Sequence, residues 1–234
     1  MKALATLVLA AAALSISAGA IAAPAGEVTH ISGAVVARKA DGQSRILSVK
    51  SNVEEGDVLA TADNSYARVK FGDGSEAVLR PATQVKIDRF NFEEQKPQSD
   101  GMVLSLLKGG MRAVTGLLGK RNPANMRVAT PSATIGIRGT TFNALLVDPD
   151  GGGGEGLAPG LHVSVTDGII SLTNSGGTQN FNAGQFGYVP SATQPPVIVP
   201  ANPGVQFTPP PSFQAPSGLP GAGIGKTGAL ACTI

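Results

Sequence analysis

The stretch TPSATIGIRGTTF, residues 130–142, decides the fold class. It combines a fixed-φ proline, two glycines flanking one arginine, and a run of β-branched residues. These read as strand, sharp corner, strand: Gly136 and Gly139 can take backbone angles that other residues avoid, while Thr140, Thr141 and Phe142 favour a pleated surface. The same pattern extends outward. Apolar and polar side chains alternate in Val28-Thr29-His30-Ile31 and in Ala67-Arg68-Val69-Lys70-Phe71, the period of a strand with one buried face. Turn signals follow at Asp41-Gly42, Glu55-Gly56-Asp57, Asn64-Ser65, Asp73-Gly74, Lys108-Gly109-Gly110, Asp167-Gly168, Ser175-Gly176-Gly177 and Ala183-Gly184. Short strands at such intervals predict an all-β fold over residues 27–188. The clearest hairpin is VKFGDGSEAVLRP, residues 69–81, where Asp73-Gly74 suits the positive φ angles of a type I′ turn.

One segment is ambiguous. Leu104, Leu107, Met111, Val114 and Leu118 recur at three- and four-residue spacings, which would line one helix face and, with Lys108, Arg112 and Lys120, could lie on a membrane surface. Gly109-Gly110 and Gly116 argue against a helix, each glycine costing about 1 kcal/mol relative to alanine. Two strands joined at the glycines, then a helical turn near residues 115–119, is the expectation.

The ends differ in kind from the middle. Lys2, an apolar run to about Ile16, and the small residues Ala20-Ile21-Ala22 read as a secretory signal peptide, residues 1–22, cut after Ala22. An uncleaved anchor is the alternative, disfavoured by the Ala, Ser and Gly content of the run. Residues 148–160, DPDGGGGEGLAPG, read as a flexible surface loop, without the spaced oxygen ligands of a calcium loop. Residues 190–234 are rich in Pro, Gly, Ala and Ser, carry Lys226 as their single basic residue and have no acidic ones. Such a composition predicts a disordered tail.

Composition excludes several functions. The 234 residues hold 18 Lys and Arg against 16 Asp and Glu, too even a balance for an electrostatic nucleic-acid binder. Trp is absent and aromatics make up 4%, so no stacking platform for bases is evident in the sequence. Cys232 is the single cysteine, so no intrachain disulfide can form. His30 and His162 belong to no metal-ligand cluster and no nucleophile motif, and the glycines lack the Lys-Ser/Thr that completes a phosphate loop. No cofactor, metal or enzymatic activity is expected. Arg138 is the most informative charge. Its five-donor fork at a β corner predicts a half-buried clamp on backbone carbonyls or a carboxylate, in which case Arg138→Lys would destabilise the domain.

VEEGDVLAT (residues 53–61), FGDGSEAVLRP (71–81), TPSATIGIRGTTF, VSVTDGIISL (163–172) and AGQFGYV (183–189) occur in an order that resembles the FecR-type domain, over about residues 27–189. Several ordered matches carry more weight than one motif. The resemblance implies an extracytoplasmic all-β domain, a twisted solenoid-like stack of short strands, that binds proteins and transforms no substrate. Regulators of this family relay a receptor's state to a cytoplasmic sigma factor. Here a signal peptide leads almost directly into the module, with no cytoplasmic helical domain or internal membrane span expected. The expectation is a periplasmic or secreted module that offers an edge or concave face to an unidentified envelope protein, with a structural spacer of the envelope as the alternative. On this reading Thr130, Pro131, Gly136, Arg138, Gly139 and Thr140 shape the fold and can contribute to the binding face, and Asp73 and Gly74 form the hairpin turn.

Overall fold

The computed structural model describes residues 24–150, 156–205, 207, 210 and 213. The expected signal peptide, the centre of the glycine-rich loop, Cys232 and the end of the chain lie outside the described residues. The fold is all-β. In chain order the strands are β1 (Gly26–Ser32), β2 (Val35–Arg38), β3 (Ser44–Ile46), β4 (Asn52–Val53), β5 (Val58–Thr61), β6 (Tyr66–Phe71), β7 (Glu76–Leu79) and β8 (Gln84–Asn91). There follow β9 (Gly101–Val114), the short helix α1 (Leu118–Arg121), β10 (Met126–Ala129), β11 (Thr134–Val147), β12 (Gly160–Asn174), β13 (Gly177–Asn182), β14 (Phe186–Val189) and β15 (Val197–Val199). No helix among the described residues is long and apolar enough to cross a membrane.

All fifteen strands share one hydrogen-bonded network whose main path runs β15-β14-β12-β11-β10-β9-β7-β6-β1-β4. Short strands dominate, but β9, β11 and β12 run to 14, 14 and 15 residues and change partners midway. The first half of β9 pairs with β8 and, in parallel, with β10; its second half pairs with β7 and β11. A sheet that branches at its long strands wraps one core, which includes Val69, Leu79, Leu104, Met111, Ile135, Phe142, Val163 and Phe181. Antiparallel pairing with one face buried enforces the two-residue period seen in β6, where Ala67, Val69 and Phe71 point inward.

Residues 101–114 form one strand, so the expected break into two strands at the glycines is corrected. Gly109 adopts φ +75°, and β9 bulges just before it, where Lys108 and Leu106 face the consecutive residues Gln84 and Val85 of β8. Met102, Leu104 and Leu106 are buried before it, Met111 and Ala113 after it. The extra residue flips the inward parity, and the three- and four-residue spacing that imitates a helix mixes buried Leu104 and Met111 with exposed Leu107 and Val114. Thr83 pins the bend: its Oγ1 donates to Gly110 O at 3.0 Å and accepts from Gly110 N at 2.9 Å.

The hairpin β6–β7 turns through Gly72, Asp73 and Gly74, with Phe71 N donating to Ser75 O at 2.8 Å and Gly74 N to Phe71 O at 3.0 Å. Gly74 has φ +83°, whereas Asp73 has no positive φ. The expected type I′ turn is therefore replaced by a three-residue loop with a glycine bulge. This register frees Asp73 to fold inward. Its Oδ1 accepts from Ser75 N at 3.0 Å, and its Oδ2 accepts from Ser75 Oγ at 2.6 Å and from Leu118 N at 3.2 Å.

The chain after β14 also departs from the composition-based expectation. β15 adds an antiparallel edge to β14. Beyond it, Val205, Phe207 and Phe213 are buried against the sheet. Composition forbids residues 190–234 a core of their own, but it does not forbid three apolar anchors docking on a core already formed. The disordered tail of the sequence reading therefore does not extend across residues 190–205 and these anchors.

Candidate functional site

Residues 130–142 form two features. Thr130 closes the turn between β10 and β11: its Oγ1 donates to Ala133 O at 2.7 Å and accepts from Ala133 N at 3.0 Å. Pro131 lies exposed in this turn, where a missing N–H costs nothing. Further along β11 the register shifts between Arg138 and Thr141. Gly139 supplies φ +58° at the bulge. Thr140 anchors it, with Oγ1 donating to Ile169 O at 2.7 Å and N donating to Thr115 Oγ1 at 2.7 Å.

Gly136 plays a different part from the one its motif suggests. It has no positive φ, and an added Cβ would meet only Ser171 atoms, at 3.7 and 3.8 Å. It is a smooth point on an ordinary strand. Arg138 is likewise corrected: the side chain is exposed and, among the described residues, makes neither a hydrogen bond nor an ion pair. The clamp expected there belongs instead to Arg45, whose two terminal nitrogens donate to Asp57 Oδ1 at 3.1 Å and Oδ2 at 2.7 Å. Asp57 is fully buried, and the pair holds the Arg45 guanidinium above its ordinary pKa.

Arg138 instead borders an open groove of about 410 Å³. Arg127 of β10, Thr134 and Gly136 of β11, and Ser171 and Thr173 of β12 share its lining, with Pro123 and Ala124 at one end. Arg127 stands opposite Gly136, and Gly136 opposite Ser171, so the missing Cβ deepens the groove between the two arginines. Arg127 is exposed and also unpaired among the described residues, and no carboxylate lines the groove. The site can bind an anionic or carbonyl-rich surface through two forks and three hydroxyls. The sequence reading singled out Arg138 and Gly136 but missed Arg127, although its outward position in the alternating MRVA of β10 is a usable signal. The other motif residues, Thr130, Pro131, Gly139 and Thr140, fall in the turn and the bulge.

A second surface is already covered. Phe213 lies over the β1–β6 face, with ring centroids 5.5 Å from His30 and 6.2 Å from Tyr66, and Arg68 Cζ 5.8 Å from its centre. Phe207 stacks on Tyr66 at 6.0 Å with Arg80 Cζ 5.6 Å away. Val205 packs on Leu145 and Val147. Burial, then the nearby Arg68 charge, lower the His30 pKa, with Glu76 opposing. The folded chain therefore resists protonating His30 more than the unfolded chain does. Its contribution is present above the unfolded value of about 6.5 and is lost as pH falls toward the lower folded value. Wild type is expected to lose more thermal stability than His30→Gln on acidification from about pH 7.5 to about pH 5.5; equal losses would remove His30 from the account.

His162, in β12, is buried, with Nε2 donating to Ala158 O at 2.7 Å, and it stacks on Tyr188, whose hydroxyl donates to Pro159 O at 2.7 Å. The pair fastens the end of the glycine-rich loop. Among the described residues no three His, Cys, Asp or Glu side chains gather as a metal centre requires.

Residues 57–171 match the family model described as FecR protein. No curated protein matches the chain. Among solved structures, two crystal structures of a candidate anti-sigma factor from Parabacteroides distasonis are similar at 14% and 16% identity, with TM-scores of 0.45 and 0.46. Each alignment covers 61% of this chain and 58% of that one, so the chain spans little more than half the length of these structures. A cell surface anchoring domain is similar at 23% identity and TM-score 0.27, over 27% of this chain and 84% of its own.

Proposed function

Because this chain is a FecR-domain protein, we propose that it is a non-enzymatic, protein-binding module of the bacterial envelope that serves signalling from outside the inner membrane. The leader at residues 1–22 delivers it there, and an envelope protein is its partner. The observation that carries the reading is the pair of exposed, uncommitted arginines, Arg127 and Arg138, on either side of Gly136. An arginine that is neither buried nor paired adds little to stability, so its presence in the most specific motif is better explained by contact with a partner. The two forks bind backbone carbonyls or carboxylates on that partner, and the hydroxyls of Thr134, Ser171 and Thr173 complete the recognition.

Crosslinking in intact cells tests this, with an affinity tag at the exposed Asp41-Gly42 turn. Wild type is expected to capture one discrete envelope protein. Arg127→Glu with Arg138→Glu should lose it while the thermal midpoint stays within about 0.5 kcal/mol equivalent of wild type. Arg138→Lys should be as stable as wild type, the reverse of the clamp expectation. Capture unaffected by the double charge reversal would overturn the assignment of the groove.

A further inference from the structure

Val205, Phe207 and Phe213 sit on the sheet in the manner of a bound peptide's anchors. Among the described residues these anchors make no backbone hydrogen bond to any strand; Phe213 N donates to Pro210 O at 2.8 Å, and Val205 N to Asn202 Oδ1, three residues before it, at 3.2 Å. Among the described residues the attachment is through side chains. Val205 is seated against β11, Phe207 against Val78 and Tyr66, and Phe213 against Tyr66 and His30. Gly110 lies beside two residues of this face: an added Cβ there would stand 2.9 Å from Leu145 Cδ1 and 3.0 Å from Arg80 Cδ.

The fit is apolar but electrostatically incomplete. Arg68 Nε is buried without a hydrogen bond among the described residues, and Glu76 stands 3.8 Å from it. Arg80 makes no side-chain hydrogen bond or ion pair among the described residues, and burial lowers its pKa. Rings over guanidiniums recover part of their lost hydration. A carboxylate beside each ring would recover more, yet residues 190–234 contain no Asp or Glu.

We propose that the anchors Val205, Phe207 and Phe213 are displaceable internal occupants of a peptide-docking face formed by Tyr66, Arg68, Val78, Arg80 and Leu145, whose external partner is an extended, acidic peptide segment carrying two aromatic residues. The internal segment holds the face through its high local concentration, and the partner displaces it by adding the missing carboxylates. This face shares no residue with the Arg127–Arg138 groove, so either can fail without the other.

The probe is a fluorescent peptide of residues 204–214 with T208E and S212E, compared with the unaltered peptide. Each is titrated into the full chain and into the full chain bearing Phe207→Ala and Phe213→Ala. The acidic peptide is expected to bind the double variant about ten-fold more tightly than it binds wild type, and about ten-fold more tightly than the unaltered peptide does. Arg80→Gln, which removes no side-chain hydrogen bond among the described residues, should keep the fold and abolish the preference for the acidic peptide in either background. Equal affinities for the two peptides, or no binding to the double variant with its thermal transition intact, overturn the proposal. So would a concentration-dependent dimer of wild type that Phe207→Ala and Phe213→Ala dissolve, because the segment would then serve a second copy.

Discussion

Asp73→Ala is expected to destabilise the domain by about 3 kcal/mol, read as a fall in the denaturant midpoint at unchanged slope. Asp73 is 2% exposed, and its carboxylate accepts from Ser75 N, Ser75 Oγ and Leu118 N. The loss is not confined to the hairpin. Asp73 O also accepts from Leu117 N at 3.0 Å, and Ser75 Oγ accepts from Gly116 N at 2.8 Å. The β6–β7 turn is thereby stitched to the link between β9 and α1, 45 residues away at Leu118. Alanine leaves two buried N–H groups and a hydroxyl without partners, each costing about 1–3 kcal/mol with incomplete additivity. Asp73→Asn keeps the shape and one acceptor oxygen, so it should cost roughly half as much. A change below about 0.5 kcal/mol for alanine would mean that water replaces the carboxylate and that the stitch is not structural.

Strand identity was legible where one face is buried and the other wet. In β6 and β10 the alternation in sequence is the alternation in space. It failed where the parity flips. Gly109 in β9 and Gly139 in β11 are left-handed residues beside register shifts that move the inward set by one, and a period-two reading has no way to mark such a shift beforehand. It failed again where both faces are covered. Phe142 to Val147 are all buried because Phe142, Ala144 and Leu146 face the main core while Leu145 and Val147 meet Val205. The docked anchors had a faint signal, two phenylalanines in an otherwise small-residue, proline-rich segment, which bulk composition averages away.

At the candidate site the motif pointed to the right place for a partly mistaken reason. A single arginine between glycines suggests a clamp, but a fork becomes a clamp only when a buried acceptor faces it. Asp57 faces Arg45, and among the described residues no acceptor faces Arg138. Pairing of that kind is set by strand order, and Arg45 comes close to Asp57 only after β2 pairs with both β3 and β5. Local propensity could identify the turn and the bulge, whereas the uncommitted charge on Arg127 and Arg138 emerges only from the assembled sheet.

Gly168→Ala is expected to be at least as damaging as loss of Asp73, at about 3 kcal/mol, for reasons of backbone alone. Gly168 has φ +77°, which costs an alanine about 1 kcal/mol before any contact is considered. An added Cβ would also stand 2.3 Å from Gly139 O and 3.0 Å from Thr140 Cα, both main-chain atoms of the facing bulge. No side-chain rotation can relieve that contact, so β11 and β12 would have to separate where Thr140 Oγ1 bonds Ile169 O. Gly136→Ala is the matched control. It lies four residues from Thr140 in the same motif, has no positive φ, and would put its Cβ at ordinary contact distance from Ser171, so its thermal midpoint should stay near wild type. If both variants unfolded at the same temperature, the bulge would be deformable, and rigidity at the corner could not be what holds Arg138 beside the groove.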